Sequence, residues 1–142
     1  MTSYTSEADI AASPETVWAA LTDVQAWPSW DSGVSAVEGG PAAQGAKLKI
    51  TSAANPGRAF PVTVTELDPH RRMVFSGGMP LGLFRGVRVY TLEPSAEGGT
   101  RFGMREDYSG PLAGLIGRSI PDLGPSFRQF ADGLKARAER AG

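Results

Sequence analysis

Apolar residues near the end of the chain recur with a helical period. Leu123, Phe127, Phe130, Leu134 and Ala138 are spaced by four, three, four and four residues. That spacing puts them on one face of a helix running from about Ile120 to Arg140. Arg128, Asp132, Lys135, Arg137 and Glu139 lie mostly off the stripe, where water can reach them. A helix of about 18 residues is about 27 Å long.

Upstream, the period changes to two. Tyr4, Ser6, Ala8 and Ile10 alternate with Thr5, Glu7, Asp9 and Ala11, predicting a first strand that ends near Ala12. Ser13-Pro14-Glu15-Thr16 predicts a helix start: Ser13 can accept from an orphan N–H, and Pro14 suits the first helical position. This helix carries Val17, Trp18 and Leu21 and stops near Asp23. Ala26 to Asp31 reads as a short helical turn or tight loop. Further strands are expected at Val34–Glu38, Lys47–Thr51, Phe60–Thr65, Met73–Ser76, Phe84–Glu93 and Thr100–Tyr108. Breaks fall at Gly39-Gly40-Pro41, Asn55-Pro56-Gly57-Arg58, Leu67–Arg71, Gly77-Gly78, Ser95–Gly99 and Gly110-Pro111. Short links between successive strands predict an antiparallel meander. Leu112 to Gly117 is read as a short helix, and Pro125 as either a first-turn residue or a kink of the long one.

An amphipathic rod needs an apolar partner, and a sheet is the only large one available. The expected fold class is therefore α+β. A seven-stranded curved antiparallel sheet wraps around the long C-terminal helix, with two short helices after the first strand. No repeat or linker divides residues 1–142, so a single domain is expected.

Composition narrows the function classes. The 142 residues are 41% hydrophobic and 20% charged, which suits a folded domain. A net charge of −1 without a basic block argues against nucleic acid. No apolar run reaches the ~18 residues of a membrane span, and Met1-Thr2-Ser3-Tyr4 does not begin a signal peptide; a cytoplasmic location is expected. There is no cysteine, so thiolate chemistry and cysteine-bound metals are excluded.

Nor does the sequence carry a nucleophile motif. The single histidine, His70, sits in a turn, and one histidine among scattered carboxylates makes no metal site. No glycine-rich loop opens a helix, so nicotinamide, flavin and ATP are not expected; no cofactor or metal is called for.

The polar candidates lie on the last two long strands. If Tyr90 and Leu92 face inward, so does Arg88; if Phe102 and Met104 do, so do Glu106 and Tyr108. A hairpin about Ser95–Gly99 places Leu92 near Phe102, Tyr90 near Met104 and Arg88 near Glu106. The result is an inward Arg–Glu pair, unless a bulge turns it outward. Such a pair can fix strand register, hold a polar group of an apolar ligand, or act on a ketone with Glu106 as base and Arg88 on the oxyanion. Trp27, Trp30, Phe60, Phe75, Met79, Phe84, Tyr90, Met104, Tyr108, Phe127 and Phe130 are candidates to line a cavity or simply to fill a core. The apolar connection Met79 to Phe84 reads as a lip over a cavity mouth or as an interface.

Several motifs, in order, are similar to a known group. They are Ala12 to Asp23 followed by Trp27-Pro28-Ser29-Trp30, then Leu67-Asp68-Pro69 and Tyr90 to Pro94, then Gly99-Thr100-Arg101-Phe102 and Tyr108 to Leu112. Together with the terminal helix they resemble the SRPBCC (START/Bet v 1-like) superfamily, in its polyketide cyclase/dehydrase-like group. The resemblance implies a helix-grip fold whose cavity, between sheet and helix, holds lipids, sterols, polyketides or other apolar molecules. Carriers, cyclases and aromatases share that fold, so it does not choose among them.

Three readings stay open. The first is a protein that binds a small hydrophobic molecule through Trp30, Phe60, Phe75, Met79, Phe84, Arg88, Tyr90, Met104, Glu106, Tyr108, Phe127 and Phe130. The second is a cyclase, aromatase or dehydratase using Arg88, Glu106 or Tyr108. The third is a module that dimerises or binds a partner through residues 79–84.

Overall fold

The computed structural model describes residues 3–53, 57, 59–78, 82–113 and 124–141. The chain runs β1 (Ser3–Ile10), α1 (Pro14–Thr22), α2 (Val24–Ser29, a 3-10 helix), β2 (Val34–Glu38), β3 (Lys47–Ser52) and β4 (Ala59–Asp68). It continues with β5 (Arg72–Gly78), β6 (Arg85–Pro94), β7 (Thr100–Ser109) and α3 (Gly124–Ala141). The seven strands form one antiparallel sheet that curls around α3, the helix-grip arrangement expected from the sequence.

The strand order is β1-β7-β6-β5-β4-β3-β2. Only β2 to β7 form the expected meander. β1 lies beside β7 instead of β2, because α1 and α2 carry the chain from one edge of the sheet to the other. A second correction concerns Gly77 and Gly78, which are not the turn itself. They extend β5, opposite Gly86 and Arg85. The ladder shifts register between Val64 and Glu66 and again between Val34 and Ala36. Such irregularities increase local bend and twist, which helps a sheet curl.

Local signals account for the helices. Ser13 caps α1, its Oγ accepting from the Thr16 N–H at 3.2 Å, and Pro14 opens the first turn. In α3, Pro125 sits in the first turn, where a missing N–H breaks no bond. Phe127, Phe130, Leu134 and Ala138 are buried, as the period requires. Ala131 and Gly133 join them. A Cβ on Gly133 would stand 1.9 Å from the Asp31 carbonyl oxygen, so only glycine lets the helix seat against the segment after α2. Leu123, and most of the short helix expected at Leu112 to Gly117, lie outside the described residues.

The core sits between sheet and α3 with Trp27 at its centre. Its ring is 4.9 Å from Phe130, 6.0 Å from Phe75 and 6.1 Å from Tyr90, measured between centroids. Its Nε1–H donates to the Leu21 carbonyl at 3.0 Å, so the indole is buried without an orphan donor. Burying one such side chain is worth about 4–6 kcal/mol at about 25 cal/mol per Å².

Candidate functional site

The inward positions of the sheet form cross-strand rows. Register places Met73, Tyr90, Met104 and Ser6 side by side on β5, β6, β7 and β1. The next row is Phe75, Arg88, Glu106 and Tyr4; beyond it come Gly77, Gly86 and Tyr108. No register shift interrupts β6 and β7 from Arg85 opposite Ser109 to Pro94 opposite Thr100. Arg88 therefore stands directly across from Glu106, on the face that α3 covers.

Here the sheet interior becomes polar. Arg88 Nη2 donates to Glu106 Oε2 at 3.0 Å, and the Tyr108 hydroxyl donates to the same oxygen at 2.8 Å. The side chains of Arg88 and Glu106 are 27% and 13% exposed, so this is a half-sheltered pair at one end of the grip. The guanidinium carbon lies 4.8 Å from the centre of the Phe127 ring, a cation–π distance. Phe84 stacks on Tyr108 at 5.4 Å. Tyr4 meets Tyr108 edge-on at 6.2 Å and lies 6.0 Å from Phe127. Gly86 makes room for this stack: a Cβ there would sit 3.2 Å from the Tyr108 ring.

Charge follows from burial. Burial opposes the Arg88 charge, but Tyr90 and Glu106 together outweigh it and hold the guanidinium above its ordinary value. Burial, then the neighbouring Glu106 charge, pushes the Tyr108 hydroxyl up, so it stays a hydrogen-bond donor at neutral pH. Burial likewise pushes Tyr90 up, against the lowering influence of Arg88.

The residues proposed from sequence fall into distinct places. Phe84, Arg88, Glu106, Tyr108 and Phe127 come together at the polar end. Phe75, Tyr90 and Phe130 belong to the Trp27 core, Met104 beside them is buried, and Trp30 packs on Phe130 at 5.4 Å from its half-buried site. Phe60 stands apart on β4, opposite Ile50 and 43% exposed. Met79 lies outside the described residues, as do Pro80 and Leu81 of the expected lip; Leu83 beside them is exposed. Tyr4 was missing from the sequence-based set. Its alternation with Ser6 and Ile10 marked it as inward, but only the pairing of β1 with β7 brings it to Glu106. His70 is exposed in its turn, at a φ of 66°, with its ring 6.3 Å from Trp18.

Among the described residues, no group of His, Asp and Glu side chains is placed to hold a metal ion. An open cleft of about 380 Å³ lies on the sheet's other, convex side, bordered by Thr63, Thr65, Ser76 and Arg85 together with Phe84. No described helix is long and apolar enough to cross a membrane.

Solved structures share this architecture at low identity. A protein from Thermus thermophilus superposes with a TM-score of 0.75 at 21% identity, covering 99% of each chain. A START superfamily protein from Mycobacterium smegmatis gives 0.69 at 16%, again over 99% of both. The di-domain ARO/CYC protein BexL, from the BE-7585A biosynthetic pathway, gives 0.71 at 18%; the match covers 98% of this chain and 47% of BexL. At such identities the likeness establishes the fold. No curated protein matches the chain. A family model does, over residues 1–139, from the first strand through the gripped helix. The helix-grip architecture and that match over nearly the whole chain agree: the chain belongs to the polyketide cyclase/dehydrase and lipid transport family.

Proposed function

We propose that the protein binds a small apolar molecule, of lipid, polyketide or aromatic type, between the sheet and α3 at the Arg88–Glu106–Tyr108 end. The observation that carries this reading is the change along the concave face. A packed aromatic core gives way to a charged pair roofed by Phe127 and flanked by Phe84 and Tyr4. A few polar groups set in aromatic walls suit an apolar ligand that carries one or two polar atoms. Family membership supports the same class of ligand.

The test is displacement. N-phenyl-1-naphthylamine, a neutral probe that brightens in apolar surroundings, should bind saturably and be displaced by lipids or polycyclic aromatics. Arg88→Leu should alter the affinity for displacers bearing oxygen more than for pure hydrocarbons. Absence of saturable, displaceable binding would overturn the reading.

A second reading is an enzyme of cyclase, aromatase or dehydratase type in the same place. It is favoured by a carboxylate, Glu106, facing a cation on the concave side, and by the likeness to an ARO/CYC protein. Against it, Glu106 Oε2 already accepts from two donors, so proton abstraction by that oxygen would first break one of those bonds. Turnover of a poly-β-ketone substrate that Glu106→Gln abolishes would favour the enzyme.

A further inference from the structure

On the outward, convex face of the sheet most charges are paired. Arg72 bridges Glu66 at 2.9 Å, Arg105 bridges Asp107 at 3.0 Å, and Arg101 bridges Glu7. Lys49 stands directly across from Glu38. Two cations break the pattern. Lys47, which opens β3, and Arg85, which opens β6, are exposed and pair with no carboxylate among the described residues.

Between these two lies the open cleft of about 380 Å³. Lys47, Thr63, Ser76 and Val87 are successive members of one row across β3, β4, β5 and β6. Arg85 is two residues from Val87, opposite Gly78. Leu48, Val64 and Phe75 are buried in the core, so their neighbours Lys47, Thr63 and Ser76 point the other way. Three strand spacings, about 14 Å, separate β3 from β6, which leaves the cleft flanked by one long cationic side chain on each side.

The floor is made of hydroxyls. Thr63, Thr65 and Ser76 all line it, with Thr65 Oγ1 and Ser76 Oγ 3.3 Å apart. Thr65 is the extra residue where the β4–β5 ladder shifts register, and that irregularity sets its hydroxyl beside Ser76. No carboxylate lines the cleft among the described residues, and the acids nearest in register, Glu66 and Asp107, are held by Arg72 and Arg105. The local potential is therefore positive. Phe84 adds an apolar wall at one side.

We propose that this outward cleft is a second binding site, on the opposite face of the sheet from Glu106, and that it takes a small organic phosphate. The phosphoryl oxygens sit over Thr63 and Ser76 between Lys47 and Arg85, and the carbon body lies toward Phe84. A phosphoryl group brings a charge of about −1.5 to −2 and three strong acceptors, which suits two cations and hydroxyls spread over two strands. A carboxylate brings one charge and two oxygens. A hollow of this volume fits a molecule better than it fits the plane of a bilayer. The site does not depend on the ligand-binding reading of the concave face.

The experiment is a titration of the 15N-labelled protein in HEPES at low salt, read from amide shifts. Phenyl phosphate should move the Thr63 and Ser76 amides saturably. Inorganic phosphate should move the same amides at higher concentration, and benzyl alcohol should move neither. Lys47→Gln and Arg85→Gln should each weaken phenyl phosphate by about five-fold, as expected for the loss of one exposed charge-assisted contact. Each should keep the wild-type urea midpoint and the affinity for N-phenyl-1-naphthylamine, because neither side chain faces the core.

Shifts that do not saturate, or that persist unchanged in both variants, would overturn the site and leave two solvated cations. Vesicles of phosphatidylcholine with phosphatidic acid distinguish a free phosphate from a lipid headgroup. Pelleting that needs Lys47 and Arg85, without saturable phenyl phosphate binding, would overturn the small-molecule site in favour of the headgroup. Saturable phenyl phosphate binding that both variants weaken sustains it, whatever the vesicles do.

Discussion

The two ends of the concave face are built by the same rule and come out differently. Toward β6 Leu92, the inward positions are Tyr90, Leu92, Phe102 and Met104, all buried and part of one core with Trp27 and Phe130. Toward Phe84, the same alternation supplies Arg88 and Glu106, half-sheltered, and Tyr108, buried, with Arg88 and Tyr108 both donating to Glu106. Strand period decides that a residue faces in, and what it meets there depends on what α3 lays over it. Phe130, Leu134 and Ala138 seal one end, whereas at the other Phe127 lies over the Arg88 guanidinium. The first end holds the fold together, and the second is the end proposed above for binding.

The largest effect should come from removing the centre of the sealed end. Trp27→Ala deletes the ring on which Phe75, Tyr90 and Phe130 converge. It should cost about 3–5 kcal/mol, seen as a large fall in the urea midpoint. A loss under about 1 kcal/mol would mean that this end repacks freely and is no more rigid than the other.

At the polar end, Glu106→Ala leaves Arg88 without its carboxylate. Both partners are partly exposed, so the expected cost is smaller, about 1–3 kcal/mol. The double change Arg88→Met with Glu106→Leu should recover stability to within about 1 kcal/mol of wild type, since apolar replacement of a sheltered pair is often neutral. It should still weaken binding of oxygenated ligands. If Glu106→Ala costs as much as Trp27→Ala, the division of labour between the ends is wrong.

How much of this division was readable beforehand depended on sequence separation. The Arg88–Glu106 pairing was legible because a short turn joins the two strands and period two does the rest. Tyr4 was not, since its partner strand lies about a hundred residues later and no local signal announces it. Trp27 and Trp30 shared one aromatic segment, and alternation does not apply there. The 3-10 geometry of α2 buries the first and leaves the second at the side of α3. Phe60 has the inward parity of Val62 and Val64, but it lies near the start of β4, where it remains exposed. Sequence parity gives the direction of a side chain and not the cover above it.

A finer change probes the polar end without altering its charges. Gly86→Ala places a methyl 3.2 Å from the Tyr108 ring. The ring must shift, loosening its bond to Glu106 and its stack on Phe84. The expected destabilisation is about 1 kcal/mol, with weaker probe binding measured in the same titration. A stability loss with unchanged binding would separate Tyr108 from the ligand site.

The smallest effect is expected at the sealed end, where α3 is tied to the sheet. Glu139 Oε2 accepts from the Ala11 N–H at 2.9 Å and from Lys135 Nζ at 2.6 Å, while Lys135 also donates to the Asp9 carbonyl. An acidic residue in the last turn of a helix opposes the helix dipole, so these donors must outweigh that field. They do: the Ala11 N–H first, then Lys135, hold Glu139 below its ordinary value of 4.5. A carboxylate whose folded-state value is lowered adds stability that is fully present above the unfolded value and lost as pH falls through the folded one. Glu139→Gln keeps an acceptor for Ala11 but removes the charge. It should cost about 0.5 kcal/mol at pH 7, with the difference from wild type shrinking to nothing as pH drops below the carboxylate range. Because the tie lies at the Ile10 end of β1 and Arg88 pairs near Tyr4, probe affinity at pH 7 should not change. A fall in affinity would show that the two ends move together, and that the gripped helix responds as one body to whatever is bound beneath Phe127.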